Sequence, residues 1–200
     1  MKDLVILVAD KDMEFSLYGI LQRYFYDRKI KYKIYPHNLH DPGVYKQAAD
    51  FLRPLQKEYR YALVVFDKEG SGQEKRSTEQ IYDEIKEKLA INGWNERSEV
   101  IIIEPELEIW AWINSIHIAE ALGWTTYSEL AKFIRDKKLW PENMNKPLRP
   151  KEAFELALRE KRIPRSPSIY KKIADKVNFT RCEDRALKKL LSIFQEWFEI

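Results

Sequence analysis

The chain has 200 residues, of which 44% are hydrophobic and 13% aromatic. This length and composition suffice for a globular domain with a sizeable core and exclude a disordered chain. The first apolar run, residues 4–9, carries no cleavage signature, and no segment approaches the roughly 20 apolar residues of a membrane helix. We therefore expect a cytoplasmic protein with no membrane partner. The single cysteine, Cys182, cannot form an internal disulfide.

Charge is distributed unevenly along the chain. Residues 1–130 contain 17 Lys and Arg against 22 Asp and Glu, whereas residues 131–200 contain 18 against 10. This asymmetry indicates that the second part holds a polyanion such as nucleic acid, DNA or RNA, and that the first part processes it. The alternative is that the basic residues only line the solvated faces of amphipathic helices.

The first half of the chain alternates strand and helix patterns. The apolar run "LVILVAD", residues 4–10, predicts a strand buried on both faces, and Asp12 is placed to cap the helix that follows. Alternating apolar residues predict a half-exposed second strand that stops at Pro36. Residues 41–43, Asp-Pro-Gly, predict a turn before the second helix.

A third strand, "YALVVFD", precedes a helix that Ser77 and Gln80 open with a capping box and Gly93 closes. A fourth strand, "EVIII", turns near Pro105 into an aromatic helical segment. Strands that alternate with helices predict an α/β fold, a Rossmann-like, mostly parallel sheet with helices on both faces. Its active crevice should lie at the carboxyl ends of the strands.

After Trp124 the pattern becomes a series of amphipathic helices separated by proline-containing links. We expect two units from this change. Residues 1–124 form the α/β domain, and residues 125–200 form a basic helical cap packed on it.

Acidic residues follow three of the predicted strands. They are Asp10, Asp12 and Glu14 after the first strand, Asp67 and Glu69 after the third, and Glu104, Glu106 and Glu108 after the fourth. Crowded carboxylates repel one another unless a divalent cation neutralises them, and oxygen ligands suit Mg²⁺ or Mn²⁺. The pattern therefore predicts a metal site, with solvated loop acids as the alternative.

The loop "EGSGQEKRS" lacks the spacing of a nucleotide phosphate loop. We interpret Gly70 and Gly72 as residues that turn the chain sharply behind the acids, which leaves Lys75 and Arg76 near any bound phosphate. Further basic residues flank the proline links of the cap, where they could meet phosphate oxygens. The candidate phosphate-binding residues are Lys11, Lys75, Arg76, Lys146, Arg149, Lys151, Arg162 and Arg165. The alternative role of these side chains is surface solubility.

Two resemblances accompany these patterns. The strand that ends in Asp67-Lys68-Glu69, within a parallel sheet, resembles the TOPRIM domain of topoisomerases, primases and overcoming-lysogenisation-defect nucleases. The motifs "LVADKDMEF", "HDPG", "ALVVFDKEGSGQE", "PELEIWAW" and "PRSPSIY" resemble a small TOPRIM-like component of prokaryotic methylation-associated defence systems.

The resemblance implies a Mg²⁺-dependent nuclease of antiphage defence. Asp67, Glu69, Glu106 and Glu108 match metal-binding positions, and Asp10 or Glu14 would assist proton transfer. The TOPRIM pattern has a glutamate at the end of the first strand, where this chain has Ala9. The alternative is therefore a non-catalytic subunit that docks to other proteins of a defence system. Hydrolysis of a small nucleotide is a third possibility, which the missing phosphate loop disfavours.

Overall fold

The structure, a computed structural model, describes residues 1–179 and 182–199. Its centre is a four-stranded sheet in which every neighbouring pair of strands is parallel, in the order β2-β1-β3-β4. The strands are β1 (Lys2–Val8), β2 (Tyr32–Pro36), β3 (Tyr59–Asp67) and β4 (Ser98–Ile103). The predicted α/β class with a parallel sheet is confirmed.

Eight α-helices accompany these strands in the described part of the chain. They are α1 (Lys11–Tyr24), α2 (His40–Leu52), α3 (Thr78–Leu89), α4 (Ile116–Ala121), α5 (Tyr127–Asp136), α6 (Pro150–Glu160), α7 (Pro167–Lys176) and α8 (Arg185–Phe198). A short 3₁₀ helix, Leu107–Ala111, follows β4. None of the described helices is long and apolar enough to span a bilayer.

The strand order places a topological switch point between β1 and β3. The connection from β1 to β2 runs in one direction across the sheet, and the connections from β2 to β3 and from β3 to β4 run in the other. Right-handed crossovers therefore put α1 on one face and α2 and α3 on the opposite face. Both faces of β1 are covered, since Leu4–Val8 are all fully buried. Ligands of such sheets bind in the crevice at the switch point.

The last helix, α8, packs on the sheet beside α1. Phe25, which follows α1, contacts the rings of Phe194 and Phe198 at centroid distances of 5.4 and 5.0 Å. Trp197 stacks on Tyr61 of β3 at 4.5 Å. The hydrophobic core thus continues across residue 124 into the helical part of the chain.

Helix α7 packs closely along α1 at a glycine. A Cβ atom placed on Gly19 would lie 2.5 Å from the Cβ of Ala174. Because real Cβ atoms do not approach so closely, Gly19 is the residue that lets the two helices meet at this distance.

Two local predictions about the starts of helices were wrong. The N-cap of α1 is Asp10 and not Asp12, because the chain leaves the strand at Val8 and the extended Asp10 accepts a hydrogen bond from Met13 N–H at 2.9 Å. Residues 41–43 belong to the first turn of α2, where proline is tolerated because its missing N–H would have no partner there. His40, the first residue of α2, has a left-handed φ of 50°.

The capping box is confirmed, since the Ser77 and Gln80 side chains form both of its bonds at the start of α3. The predicted closure by Gly93 is wrong, because α3 ends at Leu89 with Ala90 as its C-cap. Gly93, with φ of 85°, instead lies in the wide turn Ala90–Trp94 that follows the helix.

Candidate active site

Asp10 and Asp67 lie level with each other at the switch point. Val8 of β1 pairs with Val65 of β3, and each aspartate comes two residues after its member of that pair. The register of the parallel strands therefore brings two residues that are far apart in the chain to the same edge of the sheet. This is the edge where the sequence placed the active crevice.

Asp41, in the first turn of α2, joins this pair. Its Oδ1 accepts a hydrogen bond from the backbone N–H of Asp67 at 2.7 Å. Burial raises the pKa of Asp41 to about 6, and the charge of Asp10 adds to the rise. Asp41 was not predicted as a site residue. The sequence feature that could have identified it is an acid a few residues after the end of a parallel strand, in the "HDPG" motif.

Asp67 carries a carboxylate whose burial is poorly compensated by hydrogen bonds. Its Oδ1 is buried and has no hydrogen-bond partner among the described residues. Burial raises the pKa of Asp67 well above its usual range, and the charges of Asp41, Glu108 and Asp10 raise it further. A buried acceptor without a partner costs free energy, so this oxygen is a position where a cation or a donor from a ligand would be stabilising.

Glu108 is buried and has two partners within the protein. Its Oε1 accepts hydrogen bonds from the Tyr170 hydroxyl at 2.6 Å and from Arg165 at 3.0 Å. Burial raises the pKa of this carboxyl, and the bond from Tyr170 and the charge of Arg165 oppose the rise. Of the predicted metal ligands, Glu108 is thus close to Asp67 but engaged by α7 and the segment before it.

Arg165 links several elements through its guanidinium. Besides Glu108 it binds Asp12 in α1, at 2.7 and 3.1 Å, and Glu155 in α6. Burial is the main cause that raises the pKa of Asp12, and the hydrogen bond from Arg165 opposes it. Arg165 was expected to meet phosphate, and the structure instead places it among three carboxylates of the protein.

Glu106 lies at the N-terminus of α6. Its Oε1 accepts a hydrogen bond from the backbone N–H of Lys151 at 3.0 Å, so it takes the place of the side-chain cap that Arg149 does not supply. Burial raises the pKa of Glu106, and the charge of Glu69 contributes to the rise. Glu69 itself is exposed, and Glu69 and Glu106 line one cleft beside the start of α6.

Glu14 and Lys11 pair with each other at the start of α1. The Lys11 ammonium lies 2.7 Å from Oε2 of the buried Glu14. The charge of Glu14 acts on Tyr18, whereas the shifted pKa values of Asp41 and Asp67 have Asp10 among their causes. Of the two predicted proton-transfer residues, the structure brings Asp10 to the group and leaves Glu14 outside it.

The glycine-rich loop after β3 binds the side chain of Glu74, one of its own residues. The Glu74 carboxylate accepts hydrogen bonds from the backbone N–H groups of Gly70 and Gly72, at 2.9 and 3.1 Å. Backbone hydrogen bonds lower the pKa of Glu74. Both glycines have φ near 80°, as the predicted sharp turn requires. The loop thus binds an anion, and that anion belongs to the chain itself.

The remaining basic candidates divide into engaged and exposed side chains. Arg76 donates to Glu84 and Tyr45, and Lys146 donates to the Ile109 carbonyl. Arg149 is exposed and pairs with Glu152 at 3.1 Å, and Lys75 and Lys151 are exposed. Lys151 is close enough to the acids to lower the pKa of Asp41 and Glu108 against the effect of burial. It is thus the exposed lysine whose charge reaches the switch point.

Within residues 1–179 and 182–199, no three His, Cys, Asp or Glu side chains converge as a ready-made metal-binding group. The carboxylates at the switch point therefore offer one or two ligands to an ion and not a complete cage. Comparisons with protein-family models, with curated proteins and with solved structures give no match to this chain.

Proposed function

We propose that this protein is a Mg²⁺-dependent phosphodiester hydrolase that acts on nucleic acid, with its reaction centre at the switch point between β1 and β3. The observation that carries the proposal is the buried, unpartnered Oδ1 of Asp67 beside Asp41 and Asp10. Mg²⁺ is usually held by one or two carboxylates, with water and substrate phosphate as the other ligands. Two carboxylates therefore suffice for the donor set that this ion needs.

Asp67 and Asp41 are the residues that would hold the ion. When bound, Mg²⁺ would polarise a phosphoryl oxygen and lower the pKa of a water that attacks phosphorus. Asp10, whose charge raises the pKa of both carboxyls, is the candidate for proton transfer. Lys151 would attract the phosphate to the crevice. Glu69, Glu106 and Glu108, which were expected as ligands, contribute negative charge around this centre in the present proposal.

The biological setting is proposed on the resemblance to the small TOPRIM-like defence component alone. It implies a cytoplasmic protein of prokaryotic antiphage defence that acts with other subunits of a defence system. The motifs that carry this part of the proposal are "ALVVFDKEGSGQE" and "HDPG", and they contain Asp67 and Asp41.

The metal site is tested by Mn²⁺ titration calorimetry and by cleavage of labelled DNA and RNA in Mg²⁺. We expect Asp67→Asn and Asp41→Asn each to weaken Mn²⁺ binding at least tenfold and to abolish cleavage. Asp50→Asn is the matched control, since Asp50 is an exposed residue of the same helix as Asp41. Unchanged Mn²⁺ affinity in both switch-point variants would refute the site.

A non-catalytic interaction subunit is the second candidate function. It is favoured by Ala9, which is buried directly after β1 where the TOPRIM pattern has a glutamate, and by the internal partners of Glu106 and Glu108. This function predicts that the wild-type protein binds Mn²⁺ but cleaves neither DNA nor RNA. Mg²⁺-dependent cleavage that Asp67→Asn removes would decide for the hydrolase.

A further inference from the structure

Two clefts adjoin along α6 beside the switch point. The first, of about 550 Å³, is lined by residues that include Glu69, Glu106, Lys151 and Glu155. The second, of about 480 Å³, is lined by residues that include Glu155, Arg159, Arg162 and Arg165. Because Glu155 lines both, the clefts lie next to each other along α6.

The cationic residues of these two clefts lie along one side of α6. Lys151, Glu155 and Arg159 are four residues apart in sequence, and Arg162 follows three residues later. Residues three and four apart lie on the same side of a helix. Arg162 lies just beyond the helix end with φ of 54°, and the bond from its N–H to the Arg159 carbonyl holds it there at 3.0 Å.

In the second cleft the cations outnumber the acids, since Arg159, Arg162 and Arg165 line it with Glu155. Arg165 is shared by Glu155, Asp12 and Glu108, and Glu152 is paired with Arg149. Lys151, Arg159 and Arg162 are all exposed, and none of the three forms an ion pair within the described ranges of the chain. Exposed cations in a row of this kind attract a polyanion more than they stabilise the fold.

We propose that Lys151, Arg159 and Arg162 form a track that holds one strand of nucleic acid as it leaves the reaction centre. The part of this inference that places one end of the track beside the reaction centre, at Lys151, rests on the proposed function. Helix α6 ends at Glu160, and with a rise of about 1.5 Å per residue the distance along it from Lys151 to Arg159 is roughly 12 Å. A stacked strand advances about 3.4 Å per nucleotide, so this distance corresponds to roughly three to four nucleotides, with Arg162 beyond them.

The track gives the substrate a minimum length. A small diester such as bis(p-nitrophenyl) phosphate, or a dinucleotide, fits the reaction centre but cannot reach Arg159 and Arg162. A 12-nucleotide single strand reaches both arginines. The two substrates therefore separate the chemistry at Asp67 from binding along α6.

The test is the double variant Arg159→Gln with Arg162→Gln, compared with Lys172→Gln with Lys176→Gln. The control removes the same charge from exposed positions of α7 that line neither cleft. We expect the arginine variant to raise KM for the 12-nucleotide strand at least tenfold and to leave cleavage of the small diester unchanged. The control variant should retain the wild-type KM for both substrates.

Binding is measured separately by fluorescence anisotropy of the 12-nucleotide strand at several salt concentrations. Loss of two phosphate contacts should reduce the slope of log K against log salt by about 1.4, since each contact on a single strand contributes about 0.7. Equal effects of the arginine and lysine variants, or no change in slope, would overturn the track. If the wild type cleaves neither substrate, the proposed hydrolase fails, and the anisotropy result still decides on the track.

Discussion

The carboxyl groups of Asp67 and Asp41 both have pKa values above the ordinary range of aspartate. The backbone N–H of Asp67 donates to the side chain of Asp41, yet burial and neighbouring acids raise both pKa values. A raised carboxyl pKa means that the folded state holds a proton which the unfolded chain has lost. The stability that such a group allows is present at low pH and is lost as pH rises through the folded pKa.

For Asp41 this loss falls between about pH 4 and pH 6, because its pKa moves from 3.8 to about 6. The loss from Asp67 extends the same trend to higher pH, since its pKa lies well above 3.8. The raised pKa values mean that these two carboxyls reduce the stability of the metal-free protein at neutral pH, where the unfolded chain carries them ionised. A divalent cation that binds the ionised form would reverse this effect.

We expect Asp67→Asn to stabilise the metal-free protein at pH 7.5 by about 1 to 3 kcal/mol, because it replaces a titrating carboxyl whose buried Oδ1 has no partner by a neutral amide. Urea denaturation at pH 7.5 and at pH 4 measures the effect. The gain should shrink towards pH 4, where the wild-type carboxyl is protonated. A variant that is less stable than the wild type at pH 7.5, or Asp50→Asn behaving in the same way, would contradict the assignment.

Among the elements, the contact between α1 and α7 joins the helical part of the chain to the first strand–helix unit. Gly19 brings the two helix backbones together, and Arg23 of α1 donates to the Val177 carbonyl just after α7 at 2.8 Å. Arg165 adds a further link between α1 and the segment before α7. The position of Asp12 and Asp10 at the start of α1 therefore depends on how α7 packs.

We expect Gly19→Ala to destabilise the protein by about 1 to 3 kcal/mol, although alanine is the better helix former. The added methyl group would lie 2.5 Å from the Cβ of Ala174, so the helices must move apart. Urea denaturation measures the loss. Ala174→Gly in the same chain should recover part of it, and a Gly19→Ala variant as stable as the wild type would show that α7 shifts freely.

At the scale of the whole molecule, sequence patterns predicted the layers better than the site. Long apolar runs identify buried strands such as β1 and β3, and local signals such as the Ser77 capping box identify helix starts. Asp41 was missed because its meeting with Asp67 depends on strand order, which no local pattern records. The role of Glu106 depends on a helix that begins 44 residues later in the chain, at Pro150.

The predicted division at residue 124 does not separate two hydrophobic cores, since α8 packs on the sheet that residues 1–124 form. We expect residues 1–124 expressed alone to lack a cooperative unfolding transition, because Phe25 and Tyr61 would lose the rings that cover them. Circular dichroism during urea titration, with the full chain as control, tests this. A cooperative transition in the fragment would show that the first unit folds independently.

The place of α8 has a consequence for synthesis on the ribosome. The strands of the sheet are translated first. The helix that covers part of one of its faces, α8, is formed by residues 185–198 and is translated later. Until those residues leave the exit tunnel, Tyr61 and Phe25 remain uncovered, and exposed apolar surface on a nascent chain favours association with other chains. We therefore expect the growing polypeptide to be prone to association during the time between translation of β4 and release of α8.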